Sequence, residues 1–253
     1  MKNRVLLGIS LTMIFNLFIW GESGQDILKK VDERMVGTKA PKDVQTVMSM
    51  KIVTAQGREK IRELKAWSKN NLDKDDWRVM KFLSPPDVKN VGFLVLAEDQ
   101  MYLYLPEFRR IRRIASHNKK ESFMGSDFSY DDLGTAGFST SYQAKLISED
   151  DETWIIELER NPESDKPYKK IKMEVSKESE LPVRMELYDN SGNLQKVAQE
   201  GNEKIGNYWI STRITMEDKK KNSHTVLEMK DIEVDQGLED EIFTQRYLKR
   251  RVK

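Results

Sequence analysis

Four arginines, Arg109, Arg110, Arg112 and Arg113, follow Phe108 in one short stretch. Guanidinium groups bind phosphate and carboxylate oxygens bidentately, so this run could contact a lipid headgroup or an acidic partner. Runs of surface charge are more often only solvated. The alternative is an exposed strand or turn whose arginines pair with acidic residues further along the chain.

Those acidic residues, Asp127, Asp131 and Asp132, stand among aromatic side chains in residues 122–133. Their spacing does not match a calcium-binding loop, so we predict no metal site. Gly125-Ser126-Asp127 suits a turn that leads into a helix, because Ser and Asp cap free backbone N–H groups. We therefore predict a plug, in which a short helix lays aromatic side chains into the mouth of a sheet.

The residue types on which most enzymes depend are scarce. The chain has no cysteine and only two histidines, His117 and His224. This excludes disulfides and cysteine nucleophiles, and it disfavours catalytic zinc and a Ser-His-Asp triad. An esterase or glycosidase that uses paired carboxylates stays open as an alternative, because 42 acidic residues give no specific signal. We predict a binding protein without a cofactor, and not an enzyme.

Residues 1–23 have the pattern of a cleaved secretory signal. A basic start, an apolar run over residues 5–20 and small residues at its end predict a cut between Ser23 and Gly24. The alternative is an uncleaved membrane anchor, which the shortness of the apolar run disfavours. The chain has 43 basic and 42 acidic residues, a balance that gives no support for nucleic-acid binding.

From residue 24 to residue 253 the chain is predicted to form a single domain, in which apolar and polar residues alternate with a period of two. Strands are predicted at residues 46–52, 64–68, 77–83, 91–97, 100–105, 154–158, 171–175, 183–187, 208–216 and 226–234, with shorter ones at 142–148 and 194–200. The fold class is therefore mainly β: a single curved antiparallel sheet of about eleven strands that forms a half-open barrel, covered by a few short helices.

Only two segments are available to cover the apolar face of this sheet. One is an amphipathic helix predicted over residues 25–35, and the other is the irregular segment at residues 106–143. Because the sheet is larger than these segments can cover, we predict an apolar cavity of ligand size.

Several motifs in the centre of the chain occur together in one known family. They are Pro86-Asp87, Gly92-Phe93-Leu94, Tyr104-Leu105-Pro106, the arginine run and the block Phe-Met-Gly-Ser-Asp-Phe-Ser-Tyr-Asp-Asp-Leu at residues 123–133. Over about residues 25–250 the chain resembles the outer membrane lipoprotein-sorting proteins, relatives of the periplasmic carrier LolA. The resemblance implies a LolA/LolB-like half-barrel with a lid of helices, acyl chains held in its cavity, and residence in the periplasm.

The resemblance also implies partners. In the carrier proper, cargo is collected from an inner-membrane transporter and passed to an outer-membrane receptor. Other members of the broader group are associated with lipid exporters of the RND/MMPL type. We therefore predict a periplasmic lipid or lipoprotein carrier; the alternative is a periplasmic accessory subunit that docks on such a transporter without moving cargo itself.

The inward phases of the strands and the plug give eleven residues predicted to line the lipid cavity. They are Met48, Met50, Ile52, Leu64, Phe93, Val95, Leu103, Phe123, Phe128, Met173 and Met185. The four arginines of the run are predicted to contact a partner or a lipid headgroup.

Overall fold

The computed structural model describes residues 22–72, 75–134 and 137–252. The predicted leader therefore lies almost entirely outside the described residues. Within them, the helices are α1 (Gly24–Met35), α2 (Tyr130–Gly134) and α3 (Gln245–Leu248), with 3₁₀ turns at Ser116–Asn118 and Asp240–Phe243. The strands are β1 (Asp43–Val53), β2 (Glu59–Lys69), β3 (Trp77–Ser84), β4 (Gly92–Ala97), β5 (Gln100–Leu105), β6 (Arg110–Arg113), β7 (Tyr142–Glu149), β8 (Thr153–Arg160), β9 (Lys170–Ser176), β10 (Pro182–Tyr188), β11 (Leu194–Ile205), β12 (Tyr208–Asp218) and β13 (Ser223–Val234).

All thirteen described strands belong to one antiparallel sheet. Its order is β6-β5-β4-β3-β2-β1-β13-β12-β11-β10-β9-β8-β7, so the first six strands form one half and the last seven the other. The halves meet where β1 pairs with β13. In the described residues β6 and β7 end the sheet on opposite sides, and the sheet is not closed.

The predicted count of about eleven strands was too low. The strand that the period of two did not locate is β6, which consists of Arg110, Ile111, Arg112 and Arg113 and agrees with the alternative of an exposed strand or turn for the arginine run. Three of its four residues are charged and exposed, so it carries no apolar alternation for a period-two analysis to detect. It forms because β5 offers a free edge, with Tyr102 to Leu105 paired to it.

The predicted helix at residues 25–35 is confirmed by α1, which begins one residue earlier. The Ser23 hydroxyl caps the helix by accepting a hydrogen bond from the Asp26 N–H at 3.2 Å. Ile27, Leu28 and Val31 form its fully buried face. Gly24 lies so close to β7 that a Cβ atom there would stand 2.4 Å from backbone atoms of that strand. The helix is therefore packed directly on β7 and β8.

One large core lies on the concave face of the sheet. All eleven residues predicted to line the cavity belong to it and are buried. The alternation of apolar and polar residues therefore identified the inward phase correctly on the six strands that contribute to this set, β1, β2, β4, β5, β9 and β10. Whether a buried residue lines a hollow or a filled part of the core depends on what covers it.

A second, smaller core lies on the opposite face of β2 to β5. Residues 238–250, which include α3, cover this face, and Phe243 and Leu248 pack against Trp67 and Leu94. Lys81 is fully buried beneath them and donates to the backbone carbonyl oxygens of Arg250 and Tyr247. Burial lowers the pKa of Lys81 to about 8. This half of the sheet is therefore covered on both faces, where the sequence suggested one solvated face.

Residues 119–134, here called the plug, cover the concave face of β1 to β5. Phe123 stacks on Phe82 and packs against Phe93 and Tyr130, with ring centroids 5.3 to 5.8 Å apart. The predicted insertion of aromatic side chains is confirmed.

The predicted turn that leads into a helix is confirmed, but the capping role predicted for Ser126 and Asp127 was wrong. Met124 and Gly125, with φ of 51° and 79°, form a turn there, and the helix begins only at Tyr130. Its cap is reciprocal. The Ser129 N–H donates to Asp132 Oδ2 at 2.7 Å, and the Asp132 N–H donates to Ser129 Oγ at 3.1 Å.

Candidate functional site

A cavity of about 300 Å³ lies on the concave face of β9 to β12, beside the plug. This volume is at the lower end of the range that small-molecule pockets occupy. The sheet lines the cavity with apolar side chains from neighbouring strands, namely Ile171, Met185, Leu187, Ala198, Ile214 and Met216. The opposite wall consists of the end of α1, Phe128 of the plug, and Phe138 and Tyr142. Met35 of α1 is 36% exposed and brings one side of the cavity to the surface.

The cavity exists because the plug covers only one half of the concave face. The aromatic side chains of the plug pack over β3 and β4, so the plug contributes only Phe128 and the carboxylates of α2 to the described lining of the cavity. At the wall of the cavity, Ala198 contributes a single methyl group where a larger side chain would fill space. An apolar surface of this kind, separated from the opposite wall by a hollow, is suited to a hydrocarbon ligand.

Two of the eleven predicted lining residues, Phe128 and Met185, line this cavity. Val95 borders a separate, more polar groove beside Asp32 and Glu98. The others lie in the filled core, at Met48, Met50, Ile52, Leu64, Phe93, Leu103, Phe123 and Met173.

Sequence reasoning did not select Leu187, Ala198, Ile210, Ile214 and Met216, which do line the cavity. Four of these five lie on strand faces that the alternation had marked as apolar. The period of two shows which side chains point inward, but it does not show whether they meet a packed core or a cavity. These lining residues could therefore be predicted only as inward-facing.

Buried charges fasten α2 to the wall of the cavity. Asp132 accepts from Lys196 Nζ at 2.8 Å and from the Tyr168 hydroxyl at 2.8 Å. Beside it, Asp131 lies 3.5 Å from Lys166 Nζ, which also pairs with Glu98 at 2.7 Å. Burial raises the pKa of Asp131, and burial together with the Asp132 charge raises the pKa of Tyr168. These groups fix the position of the plug and form one polar side of the site.

The third acidic residue of the family block, Asp127, attaches the plug to β13. Its carboxylate accepts from the hydroxyls of Ser223 at 2.5 Å and Thr225 at 2.7 Å, and its N–H donates to Thr225 Oγ1 at 2.9 Å. The prediction that the arginine run pairs with Asp127, Asp131 and Asp132 was therefore wrong. The side-chain partners of these acids are hydroxyls and lysines, which the fold brings from distant parts of the chain.

The arginine run is an exposed edge hairpin, and none of its residues lines the cavity. Phe108 at its turn is 61% exposed, and Arg110, Arg112 and Arg113 are exposed on β6. Arg113 lies 3.5 Å from Asp99. Arg109 has a φ of 50°, the left-handed conformation of a turn residue. The run therefore presents guanidinium groups and one aromatic ring to solvent.

One acidic side chain, Glu200 of β11, faces the cavity among apolar neighbours. Burial raises the pKa of Glu200 to about 7, although the nearby Ser211 hydroxyl favours its charged form. In the described part of the chain, no cluster of three or more His, Asp or Glu side chains could hold a metal ion. Over the same residues, no helix is both long enough and apolar enough to cross a bilayer.

The open antiparallel sheet, with its plugged concave face and apolar cavity, defines the structural class of this protein. A protein-family model described as "Uncharacterized protein" matches residues 74–250, which is more than half of the chain. The chain belongs to this family, and the predicted resemblance to outer membrane lipoprotein-sorting proteins is confirmed by a solved structure of that description.

Three solved structures share the fold over most of the chain. A DUF1329 family protein from Desulfovibrio piger is 28% identical, with 89% of this chain and 97% of that one covered and a TM-score of 0.83. A putative outer membrane lipoprotein-sorting protein domain from Vibrio parahaemolyticus is 26% identical, with 90% and 98% covered and a TM-score of 0.82. A LolA superfamily protein from Nitrosomonas europaea is similar in fold, at 23% identity, 90% and 100% coverage and a TM-score of 0.70. No curated protein matches the sequence.

Proposed function

We propose that this protein is a periplasmic carrier that binds an acyl chain of a lipid or lipoprotein in the cavity and moves it between membranes. The observation that carries the proposal is the apolar cavity of about 300 Å³ on the concave face, in a chain of LolA-like fold. Each methylene buried there contributes about 0.8 kcal/mol, so one chain of ten carbons supplies sufficient binding energy.

The site is suited to holding an acyl chain without cofactor chemistry. The cavity wall is mainly apolar, and its charged groups near the plug are engaged with one another, as Asp132 is with Lys196. Apolar burial gives no direction to transfer, because a ligand shifts an equilibrium only by its differential affinity. The proposal therefore includes an inner-membrane transporter as donor and an outer-membrane receptor as acceptor.

We assign the exposed arginines, Arg109, Arg110, Arg112 and Arg113, to contact with a lipid headgroup or with one of these partners. Their guanidinium groups face solvent on an edge strand, where phosphate or carboxylate groups can reach them bidentately. Phe108 adds an apolar contact at the tip of the same hairpin. This surface and the cavity are separate parts of the proposed site.

Export depends on the predicted leader, residues 1–23, with the LolA-like domain following as one unit. A cut before Gly24 removes Ser23, whose hydroxyl caps α1. We expect that loss to cost roughly 1 kcal/mol of helix stability, which the buried face of α1 can tolerate. The N-terminal sequence of protein recovered from the periplasm tests the position of the cut.

The test of the carrier proposal is native mass spectrometry of protein purified without detergent. We expect a bound fatty acid or phospholipid on the wild type. Ile214→Glu places a charge on the cavity wall and should abolish this occupancy, because a carboxylate is costly in an apolar site. Ile147→Glu is the matched control, since Ile147 is 55% exposed on β7. Occupancy that survives in Ile214→Glu overturns the assignment of the cavity.

A docking subunit of an RND/MMPL-type transporter is not favoured as the alternative. It leaves the cavity and the buried charges beside it without a role. An empty wild-type cavity together with tight binding to such a transporter would reverse this preference.

A further inference from the structure

Glu200 is the exceptional residue of the cavity wall. It lies on β11, two residues after Ala198, and its partner across the ladder on β12 is Ile214. Both neighbours line the same cavity and offer no hydrogen-bonding side chain. A carboxyl group in this position has lost much of its hydration, and no ion pair of the described structure compensates for that loss.

The other charged side chains of the lining have partners. Arg34 Nε donates to Glu180 at 2.9 Å, Asp132 pairs with Lys196, and Asp131 pairs with Lys166. Across the described residues, no salt bridge involves Glu200. Glu200 is therefore set apart from the network that fastens the plug.

Two further oxygen atoms, in a nearby pair of residues along the β11–β12 ladder, make no hydrogen bond of ordinary geometry within the described structure. The Ser211 hydroxyl oxygen is buried in the cavity wall and makes no hydrogen bond of ordinary geometry within the described structure. Asn202, the ladder partner of Ser211, donates through Nδ2 to the Pro182 carbonyl, but its buried Oδ1 has no partner there. Buried polar atoms without partners are uncommon, and each calls for a specific explanation.

All three groups can accept hydrogen bonds, and the described residues bring no cationic donor to them. A primary ammonium is complementary to these three acceptor groups, because it has three N–H donors, no acceptor and one positive charge. A carboxylate or phosphate headgroup would instead add negative charge beside Glu200. An alcohol supplies one donor and no charge.

We propose that Glu200 and Ser211 form a subsite for the primary ammonium group of an amphiphile whose hydrocarbon chain occupies the apolar cavity. This inference rests on the proposed function and names the ligand class at the same site. The subsite provides recognition of the headgroup, while the apolar wall binds the chain.

The electrostatics agree with this assignment. Burial raises the pKa of Glu200 to about 7, so the carboxyl group is close to half ionised at neutral pH when the cavity is empty. An ammonium within hydrogen-bond distance favours the ionised form and is held by a charge-assisted hydrogen bond.

The experiment compares 1-decylamine with 1-decanol, which have the same chain and differ in the headgroup. Affinities are measured by isothermal titration calorimetry at pH 8, where Glu200 is mainly ionised and an alkylamine, like lysine, is protonated. We expect the wild type to bind decylamine at least tenfold more tightly than decanol. A factor of ten corresponds to about 1.4 kcal/mol.

Glu200→Gln should abolish this preference while decanol affinity stays within about threefold, since Gln keeps the size of Glu but lacks the charge. Glu203→Gln is the matched control. Glu203 is an exposed residue of the same strand outside the cavity lining, and Gln can still accept from the Thr212 hydroxyl. Decanol binding by each variant also demonstrates that its cavity is intact.

Two results would overturn the inference, and they have different consequences. If decanol binds but decylamine binds no more tightly, or if Glu200→Gln keeps the preference, the subsite is wrong and the carrier proposal is unaffected. If neither probe binds the wild type, the carrier proposal fails together with the subsite.

Discussion

The two halves of the concave face are built from the same kind of strand but have different interiors. Over β1 to β5 the plug supplies Phe123 and Tyr130, which pack against Phe82 and Phe93 and fill the space. Over β9 to β12 the lining is mainly aliphatic, and a cavity of about 300 Å³ lies opposite it. The comparison shows that alternating apolar residues produce either a packed core or a hollow, depending on the side chains that the covering segment contributes.

The largest expected effect on stability comes from creating a cavity in the filled half. Phe123→Ala removes the fully buried ring at the centre of the aromatic cluster and should lower the free energy of unfolding by about 4 kcal/mol. Met185→Ala, at the wall of the hollow half, should cost about 2 kcal/mol because its side chain already borders a void. Urea denaturation of both variants measures the difference. Equal losses would contradict the division into a filled and a hollow half.

The second effect concerns the boundary between the halves, where α2 is fastened. Asp132→Asn keeps the shape of the side chain but leaves Lys196, which is 5% exposed, without its carboxylate. We expect the free energy of unfolding to fall by about 3 kcal/mol, because breaking a buried ion pair leaves the remaining charge buried without a partner. Asp240→Asn is the control, since its pair with Lys69 is largely exposed and should contribute less than about 1 kcal/mol. Denaturation curves that shift equally for both variants would show that α2 is not fastened by this pair.

The third effect belongs to the hollow half and depends on pH. In the folded protein the pKa of Glu200 is raised from 4.5 to about 7, so the folded state retains a proton that the unfolded state releases. The resulting contribution to stability is complete below pH 4.5 and is lost as pH rises to 7. Glu200→Gln should therefore raise the free energy of unfolding by about 3 kcal/mol at pH 8 and leave it unchanged at pH 4.

Melting temperatures of the wild type, Glu200→Gln and Glu203→Gln across this pH range test the effect. Glu203 is exposed, so its variant should follow the wild type. If the difference in melting temperature between Glu200→Gln and the wild type does not change with pH, Glu200 is not held in a desolvated site.

The smallest effect is expected outside both halves, at the tip of the β5–β6 hairpin. Phe108→Ser should change the free energy of unfolding by less than about 0.5 kcal/mol, because the ring is 61% exposed. If this ring helps the arginine run contact a membrane or partner, the same variant should weaken cosedimentation with anionic lipid vesicles. A substantial loss of stability would instead place Phe108 in the core.

Much of the fold could be predicted from local patterns in the sequence. The period of two located twelve of the thirteen described strands, and the spacing of Ile27, Leu28 and Val31 predicted α1. The missing strand, β6, is mostly arginine, and a charged edge strand has no apolar face to detect. The second core under residues 238–250 was also unpredicted, because nothing in the sequence of a short terminal segment indicates which face of a sheet it covers.

The sequence by itself determined which side chains point inward, because successive residues of a strand face opposite sides of the sheet. Nine of the eleven predicted lining residues lie on strands and are buried for this reason, and the other two, Phe123 and Phe128, belong to the plug. Only the tertiary structure decided which of them meet a cavity, since that depends on where the plug lies after Asp127 reaches β13 and Asp132 reaches Lys196. The tertiary structure also decided that Glu200 lies opposite Ile214 in an apolar wall. The surroundings of a side chain depend on strand register and on the covering segment, which the order of residues along β11 does not determine.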